Sequence, residues 1–201
     1  MTLNNSLELD ASASASASAS TNNGGRINII MGCMFSGKST ELIRLANRYS
    51  VLDKKILIIN HSLDKRYSEN AIATHSNQLM DCVSISNLEE IDKDKYIECD
   101  VLIIEEAQFF EGLYKFVLNA CEVDNKSVIV VGLDGDSNRS QFGEILKLIP
   151  VCDSVKKLYG LCVECKDGTK ACFTKRHIEN NEQVLIGTNE FSAVCRKHYK
   201  Q

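Results

Sequence analysis

The stretch Gly32-Cys33-Met34-Phe35-Ser36-Gly37-Lys38-Ser39 fits the pattern G-x-x-x-x-G-K-[ST]. An apolar run, residues 27–31, leads into it, and a helical pattern, residues 40–49, follows it. A strand, a glycine-flanked loop and a helix are the context that a phosphate-binding loop requires. The backbone N–H groups of such a loop surround a polyphosphate, and the helix N-terminus adds partial positive charge. We therefore predict a nucleoside triphosphate site, with Lys38 at the β/γ-phosphates and the Ser39 hydroxyl on Mg²⁺.

From Arg26 onward, short apolar runs alternate with helical patterns. The strand candidates are residues 27–31, 55–60, 78–85, 101–105 and 127–133. The helix candidates are residues 39–51, 88–93, 110–121 and 141–149. Several strand candidates are nearly continuous runs of Val, Ile and Leu, which is typical of strands covered on both faces. The alternation predicts an α/β fold of the P-loop, RecA-like type, with a mainly parallel sheet flanked by helices.

The chain divides into three predicted parts. Residues 1–25 contain an Ala-Ser repeat and little that could be buried, so we expect a disordered low-complexity tail. Residues 26–150 form the P-loop α/β domain, which ends at Pro150, the only proline of the chain. Residues 151–201 are rich in cysteine and histidine and form a small zinc-binding domain.

The composition excludes several classes of protein. A net charge of −4 argues against a broad nucleic-acid-binding surface. No apolar stretch approaches the roughly 18 residues of a membrane helix, and residues 1–10 lack the features of a signal peptide. We therefore expect a cytoplasmic protein without nucleic-acid or membrane partners, whose nine cysteines are thiols or metal ligands rather than disulfides.

Two adjacent carboxylates, Glu105 and Glu106, follow four apolar residues of a predicted strand. Adjacent strand residues point to opposite faces, so the two groups can have different tasks. One can face the Mg²⁺-bound phosphates, and the other can act as general base on an acceptor hydroxyl. A solvated strand end is the alternative interpretation, and the nearby phosphate loop favours the chemical one.

Two C-x₂-[CH] pairs, Cys162/Cys165 and Cys195/His198, have the spacing of zinc ligands. Three thiolates and one imidazole make a closed, structural tetrahedral site. The 29 residues between the pairs are more than a minimal zinc ribbon needs, so we expect this gap to carry a function. The remaining cysteines are expected to pack in the interior, although Cys33 in the phosphate loop is a candidate for oxidation.

These elements, in this order, resemble the type II thymidine kinases, the family of the cellular cytosolic enzyme and its bacterial and poxviral relatives. The resemblance covers residues 26–199 and includes both zinc pairs. Its other motifs are Met34-Phe35-Ser36-Gly37-Lys38-Ser39-Thr40, Asp64-Lys65-Arg66-Tyr67, Glu106-Ala107-Gln108-Phe109-Phe110, Leu133-Asp134-Gly135, Phe142-Gly143 and Thr174-Lys175-Arg176. The resemblance implies transfer of the γ-phosphoryl group of ATP to the 5′-hydroxyl of thymidine, a step of nucleoside salvage for DNA synthesis.

The resemblance also implies roles for individual residues. Glu106 matches the catalytic base, and Glu105 matches the metal-side acid, which is usually aspartate in the family. Asp64 and Arg66 match a polar cluster beside the phosphates, and Arg176 extends towards the same area. The implied ATP site consists of Gly32, Cys33, Met34, Phe35, Ser36, Gly37, Lys38, Ser39, Asp64, Lys65, Arg66, Glu105 and Gln108.

The gap between the zinc pairs, residues 166–194, resembles the family's lasso, whose backbone groups bind the thymine edge. A site that satisfies these polar groups rejects bases that would leave them unpaired. The implied thymidine site consists of Met34, Phe109, Leu133, Ser137, Phe142, Thr174, Arg176, Gln183, Val184, Leu185, Ile186, Gly187 and Phe191. Phe191 stands where tyrosine is common in the family, and Ser137 stands where an aromatic residue often packs.

The resemblance further implies Mg²⁺ bound with ATP, a structural Zn²⁺, inhibition by thymidine triphosphate and a homotetramer. Two other function classes stay open. A P-loop ATPase without a small-molecule acceptor would hydrolyse ATP independently of any nucleoside. A zinc-ribbon nucleic-acid-binding module would need a basic surface with stacking aromatic residues, whereas this chain has no tryptophan and is negatively charged.

Overall fold

The computed structural model describes residues 24–64, 71–73, 79–178, 182–185 and 187–200. Six strands of this part of the chain form one parallel sheet. Side by side, they are β5 (Val83–Ile85), β2 (Ile56–His61), β6 (Val101–Glu105), β7 (Ser127–Gly132), β1 (Arg26–Gly32) and β8 (Ser154–Leu158). The predicted α/β fold with a mainly parallel sheet is confirmed.

Apolar side chains cover both faces of the sheet because helices pack on each side. Every residue of β6 is buried, as its continuous apolar sequence predicts. On one face, α1 (Lys38–Ser50) packs Leu42 and Ile43 against the sheet. On the other face, α3 (Leu113–Leu118) buries Leu113 and Val117. The sheet is thus held between two apolar layers, with its carboxyl edge left for the loops.

Two predicted helices differ from the structure in their bounds. The prediction of a helix at 88–93 was wrong, because a 3₁₀ turn, Leu88–Glu90, is followed by α2 (Lys93–Glu98). The Asp92 side chain accepts from the Lys95 N–H and caps α2, which sets its start. The helix predicted at 110–121 begins only at α3, since Gly112 adopts a left-handed conformation.

The helix predicted at 141–149 is also shifted. A 3₁₀ segment, Ile145–Val151, takes its place and contains Pro150 rather than ending before it. Pro150 has no N–H group to donate inside a regular α-helix. The segment that contains it is 3₁₀ rather than α-helical. The chain then continues directly into β8, which the sequence patterns did not predict.

The strand predicted at 78–85 is two strands in different sheets. β5 belongs to the main sheet, whereas β4 (Leu79–Asp81) pairs antiparallel with β3 (Ala71–Ala73).

Residues 1–23 of the predicted tail lie outside the described residues. The division of the chain at residue 150 stays a prediction. β8 lies after residue 150 and nevertheless pairs with β1 in the main sheet.

The C-terminal segment adds two small antiparallel pairs to the carboxyl edge. These are β9 (Gly160–Leu161) with β10 (Lys170–Ala171), and β11 (Phe173–Arg176) with β12 (Phe191–Val194), followed by α4 (Arg196–Tyr199). Their apolar residues form a third cluster that includes Cys33 of the phosphate loop. The segment is therefore packed onto the loop. Within the described residues, the helices are too short or too polar to cross a membrane.

Candidate active site

The phosphate loop connects β1 to α1 at the carboxyl edge of the sheet. Its backbone turns through two left-handed residues, Phe35 with φ 61° and Gly37 with φ 83°. Lys38 folds back over the loop and donates from Nζ to the carbonyls of Cys33 at 2.9 Å and Gly32 at 3.3 Å. α1 begins at Lys38 within the loop and has no side-chain cap at its start, so its first N–H groups make this a suitable anion site.

Two buried carboxylates diverge where β6 ends. Glu105 is the last residue of the strand, and its Oε1 accepts the hydroxyl hydrogen bond of Ser39. Glu106 follows in a left-handed conformation with φ 51°, and its Oε2 accepts from Gln108 Nε2 at 2.5 Å. Because the backbone turns at Glu106, one carboxylate meets the phosphate loop and the other faces the adjoining pocket.

One pocket brings together most residues that the sequence assigned to the two substrate sites. From those predictions it is lined by Met34, Phe35, Ser36, Gly37, Lys38, Ser39, Asp64, Glu106, Gln108, Phe109, Leu133, Ser137, Phe142, Thr174, Arg176, Gln183, Val184, Leu185, Gly187 and Phe191. Gly32, Cys33 and Glu105 are buried beside it. Lys65, Arg66 and Ile186 lie outside the described residues. The pocket therefore joins the phosphate loop, the end of β6 and the lasso.

Cys33 is less accessible than its place in the loop suggested. Its side chain is 1% exposed, and its Sγ donates to the Ala171 carbonyl at 3.5 Å. Burial raises the pKa of the Cys33 thiol. Since the thiolate is the reactive form, a buried and protonated thiol resists oxidation, and the candidate oxidation site is not supported.

Aromatic rings form one wall of the pocket. Phe109 and Phe142 meet edge to face, with ring centroids 5.4 Å apart. The ring centroids of His61 and Phe109 are 5.4 Å apart. His61 Nδ1 accepts a hydrogen bond from the Leu63 N–H at 3.1 Å. Burial lowers the pKa of His61, which keeps the imidazole neutral and able to accept this hydrogen bond. A lone histidine at a strand end gave no signal in the sequence.

Two side chains of the lasso, Arg176 and Gln183, hold its backbone together and tie it to the segment after β7. Arg176 donates to the carbonyls of Glu182 at 2.8 Å and Gln183 at 3.4 Å. Gln183 in turn donates from Nε2 to the Asp136 carboxylate at 2.8 Å and to the Gln141 carbonyl at 3.0 Å. Gln183 thus holds the lasso against the loop after β7, a task the sequence did not indicate.

Asp136 is the most consequential residue that the sequence analysis missed. Its buried carboxylate accepts from the N–H groups of Asn138 and Ser140, both at 2.8 Å, as well as from Gln183. An Asp-Ser-Asn turn is the only local signal that could have indicated it. The other missed residues of the pocket wall are Thr40, Leu63, Gly135 and Thr188.

The four predicted zinc ligands come together with the dimensions of a metal site. Their ligand atoms all lie within 4.8 Å of one another. The Cys165 and Cys195 sulfurs are 3.8 Å apart, and His198 Nδ1 lies 3.4–3.5 Å from the three sulfurs. A tetrahedral ion with Zn–S bonds of about 2.3 Å places its sulfurs about 3.8 Å apart. The cluster could therefore hold a structural metal such as zinc.

The environment of one thiol, Cys162, agrees with that fit. Burial raises the pKa of the Cys162 thiol, but N–H donors of Cys195, Cys165 and Glu164, together with His198, lower it to about 6. A thiolate is the form that binds a metal ion. The N–H donors around Cys162 thus stabilise negative charge on its sulfur, whereas burial and the neighbouring Cys162 and Cys195 side chains raise the pKa of the Cys165 thiol to about 11 when no metal ion is bound.

Comparison with known proteins assigns this arrangement to a family. A family model described as thymidine kinase matches residues 25–199. The chain belongs to the thymidine kinase family. Among relatives, it is 40% identical over 177 residues to "Thymidine kinase" of Sheeppox virus (strain KS-1), covering 87% of this chain and 97% of the relative. It is 39% identical over 180 residues to "Thymidine kinase a" of Arabidopsis thaliana, covering 87% and 75%.

A mammalian relative gives the same result. The chain is 38% identical over 179 residues to "Thymidine kinase, cytosolic" of Cricetulus griseus, covering 87% of this chain and 73% of the relative. The matched residues of the thymidine kinase family model include the phosphate loop, both carboxylates at the end of β6 and all four metal-ligand candidates. Membership of the family makes this chain a nucleoside kinase.

Proposed function

We propose that this protein transfers the γ-phosphoryl group of ATP to the 5′-hydroxyl of thymidine and thereby forms thymidine monophosphate. The observation that carries the proposal is the divergence of Glu105 and Glu106, since one meets Ser39 and the other faces the pocket. A donor and an acceptor can therefore approach the end of β6 from two sides. Membership of the thymidine kinase family supports thymidine as the acceptor.

The phosphate loop is the proposed donor site. Its N–H groups and the start of α1 would bind the phosphates of ATP, and Lys38 would exchange loop carbonyls for phosphate oxygens. Ser39 and Glu105 offer the hydroxyl and carboxylate oxygens that suit Mg²⁺, and their mutual hydrogen bond places them together. When bound with ATP, Mg²⁺ neutralises charge on the phosphates.

The rest of the pocket is the proposed thymidine site. Phe109 and Phe142 provide an aromatic wall for the nucleoside, and Met34 and Leu133 line the same pocket. Backbone donors and acceptors of the lasso would bind the polar edge of thymine, with Gln183 and Arg176 holding the lasso over the site. The base would be selected because a mismatched edge leaves buried polar groups unpaired.

Glu106 is the proposed general base. It accepts the proton of the 5′-hydroxyl while the oxygen forms its bond to the γ-phosphorus. The bond between the γ-phosphorus and the bridging oxygen breaks, and ADP leaves with the bonding electrons. Cationic Lys38 and Arg176, which line the same pocket, would stabilise negative charge on the transferred group.

Further properties follow from family resemblance and are part of the proposal. Thymidine triphosphate would inhibit the enzyme by placing its nucleoside in the thymidine site and its phosphates in the donor site. The protein would act in the cytoplasm as a homotetramer. Light scattering behind size exclusion tests the tetramer, and inhibition curves against thymidine and ATP test the site that thymidine triphosphate occupies.

The decisive experiment incubates the protein with labelled ATP and each of the four deoxynucleosides in turn. We expect label in thymidine monophosphate and little label released as free phosphate. ATP hydrolysis that is independent of thymidine would instead support an ATPase without an acceptor. The matched variant Glu106→Gln should lower turnover by about 10²–10⁴-fold and retain ATP binding. Turnover close to wild type in this variant would remove Glu106 from the role of base.

A further inference from the structure

Gln108 contacts the proposed base through a short and defined bridge. It is 3% exposed and lies in the 3₁₀ turn Ala107–Phe109, which begins directly after Glu106. Its Nε2 donates to Glu106 Oε2 at 2.5 Å, while its Oε1 accepts from the Leu133 N–H at 3.0 Å. The amide therefore joins the carboxylate at the end of β6 to the backbone just beyond β7.

The orientation of this amide is fixed by its partners. The Leu133 N–H can only donate, so the atom of Gln108 that faces it must be the carbonyl oxygen. The amino group then necessarily faces Glu106, which as a carboxylate can only accept. In a flipped amide, the amino group would face the Leu133 N–H, so that two donors meet. The carbonyl oxygen would face the Glu106 carboxylate, so that two acceptors meet.

The surrounding backbone is shaped to admit Gln108. A Cβ added to Gly132 would lie 2.6 Å from Gln108 Oε1, and one added to Gly143 would lie 2.1 Å from the Gln108 carbonyl oxygen. Gly143 also has φ 59°, a backbone conformation that residues other than glycine rarely adopt. The backbone thus passes close to Gln108 at two points, once beside the amide oxygen and once beside the main-chain carbonyl.

We infer that Gln108 is a positioning residue that holds the Glu106 carboxylate in the orientation needed to accept the 5′-hydroxyl proton. This inference rests on the proposed function. Glu106 cannot rotate its carboxylate without losing the amide donor, and the left-handed backbone at Glu106 brings the two side chains within reach. Misplacement of a catalytic group by about 1 Å can cost about 10²-fold in rate, so such a restraint matters.

The test replaces Gln108 with methionine, which has similar length but no hydrogen-bonding amide. We expect Gln108→Met to lower kcat for thymidine by about 10–100-fold, with KM for thymidine and ATP changing by less than about threefold. Gln108→Asn keeps the amide but is one methylene shorter, so it cannot accept from the Leu133 N–H and donate to Glu106 at the same time. It should lower kcat in the same way, and it serves if the methionine variant does not fold.

A double-mutant cycle separates positioning from a general structural effect. If Gln108 acts through Glu106, Gln108→Met should lower kcat no further when Glu106→Gln is already present. The inference would be overturned if the kcat losses of the two single variants multiplied in the double variant. It would also be overturned if Gln108→Met raised KM without lowering kcat. Asn119→Leu is the matched control, because it removes an exposed amide-to-carboxylate hydrogen bond to Asp124, and neither residue lines the pocket. Its kcat should equal that of wild type.

The outcomes for the two proposals can be told apart. A wild-type protein that does not phosphorylate thymidine would overturn the proposed function, and this inference with it. A wild type that is active while Glu106→Gln is slow would support the proposed base. In that case, Gln108→Met and Gln108→Asn with wild-type kcat would overturn the positioning role alone.

Discussion

The backbone N–H of Met34 donates to the Thr174 hydroxyl at 3.0 Å and joins the phosphate loop to β11. Thr174 is buried, and the next residue, Lys175, donates from Nζ to the carbonyl of His198 at 3.0 Å. A short chain of contacts therefore runs from the phosphate loop to a candidate zinc ligand. The conformation of the loop depends on a segment that lies far away in the sequence.

Thr174→Val should weaken this connection, because valine has a similar shape but cannot accept a hydrogen bond. We expect the free energy of unfolding to fall by about 1–3 kcal/mol, since the Met34 N–H loses its partner. Thr174→Ser keeps the hydroxyl and is the matched control. Urea unfolding of the zinc-loaded protein measures the difference. Equal stability of the Val and Ser variants would show that the hydrogen bond contributes nothing.

Met34 should affect the acceptor more than the donor, because its side chain lines the pocket while the loop backbone remains for the phosphates. Met34→Ala should raise KM for thymidine by about tenfold through lost apolar contact and change KM for ATP by less than about twofold. Met34→Leu preserves most of the volume and should stay close to wild type. Steady-state kinetics with each substrate varied separately give the answer. A larger change for ATP would place Met34 in the donor site instead.

Much of the fold was predictable because its strongest signals are local. β6 and β7 are continuous apolar runs that are buried on both faces, and the sequence shows them directly. Helix ends were less predictable, since they depend on caps such as Asp92 and on the left-handed Gly112. β8 escaped prediction because most of its residues are exposed and two are lysines, so it lacks an apolar pattern.

The candidate site divides in the same way. The phosphate loop, Glu105 and Glu106, and the candidate zinc ligands have characteristic spacing within a few residues, so the sequence indicated them. Different directions for the two carboxylates were expected from adjacent strand positions, but Glu106 lies beyond the end of β6, and the left-handed backbone there sets its direction. Asp136 and its contact with Gln183 could not be predicted, because those residues meet only when the lasso folds against the loop after β7.

The zinc cluster should hold the lasso in place. Cys195→Ser removes one thiolate ligand, so we expect loss of bound zinc and faster proteolysis of the lasso. KM for thymidine should rise, because the base would lose the backbone groups that bind it. Metal analysis, limited proteolysis and kinetics on one preparation test these expectations together. Cys152→Ser, outside the cluster, is the control, and full zinc content with unchanged kinetics in Cys195→Ser would contradict the role.

His61 should make the stability of the protein depend on pH. Burial lowers the pKa of His61 below its ordinary value, and a hydrogen bond with the Ser86 backbone and the nearby Glu90 carboxylate only partly oppose this. In the unfolded chain the imidazole takes up a proton near pH 6.5, whereas the folded protein resists protonation. The unfolded state therefore binds more protons as pH falls, and the stability that a neutral His61 contributes is lost below about pH 6.5.

The variant His61→Gln isolates this effect, because glutamine can still accept a hydrogen bond from the Leu63 N–H but does not titrate. Between about pH 7.5 and 5.5, Tm should fall further for the wild type than for the variant. Comparison of the two slopes cancels the contributions of the other histidines and of the zinc cluster, which both proteins share. Parallel Tm curves would show that protonation of His61 does not differ between the folded and unfolded states.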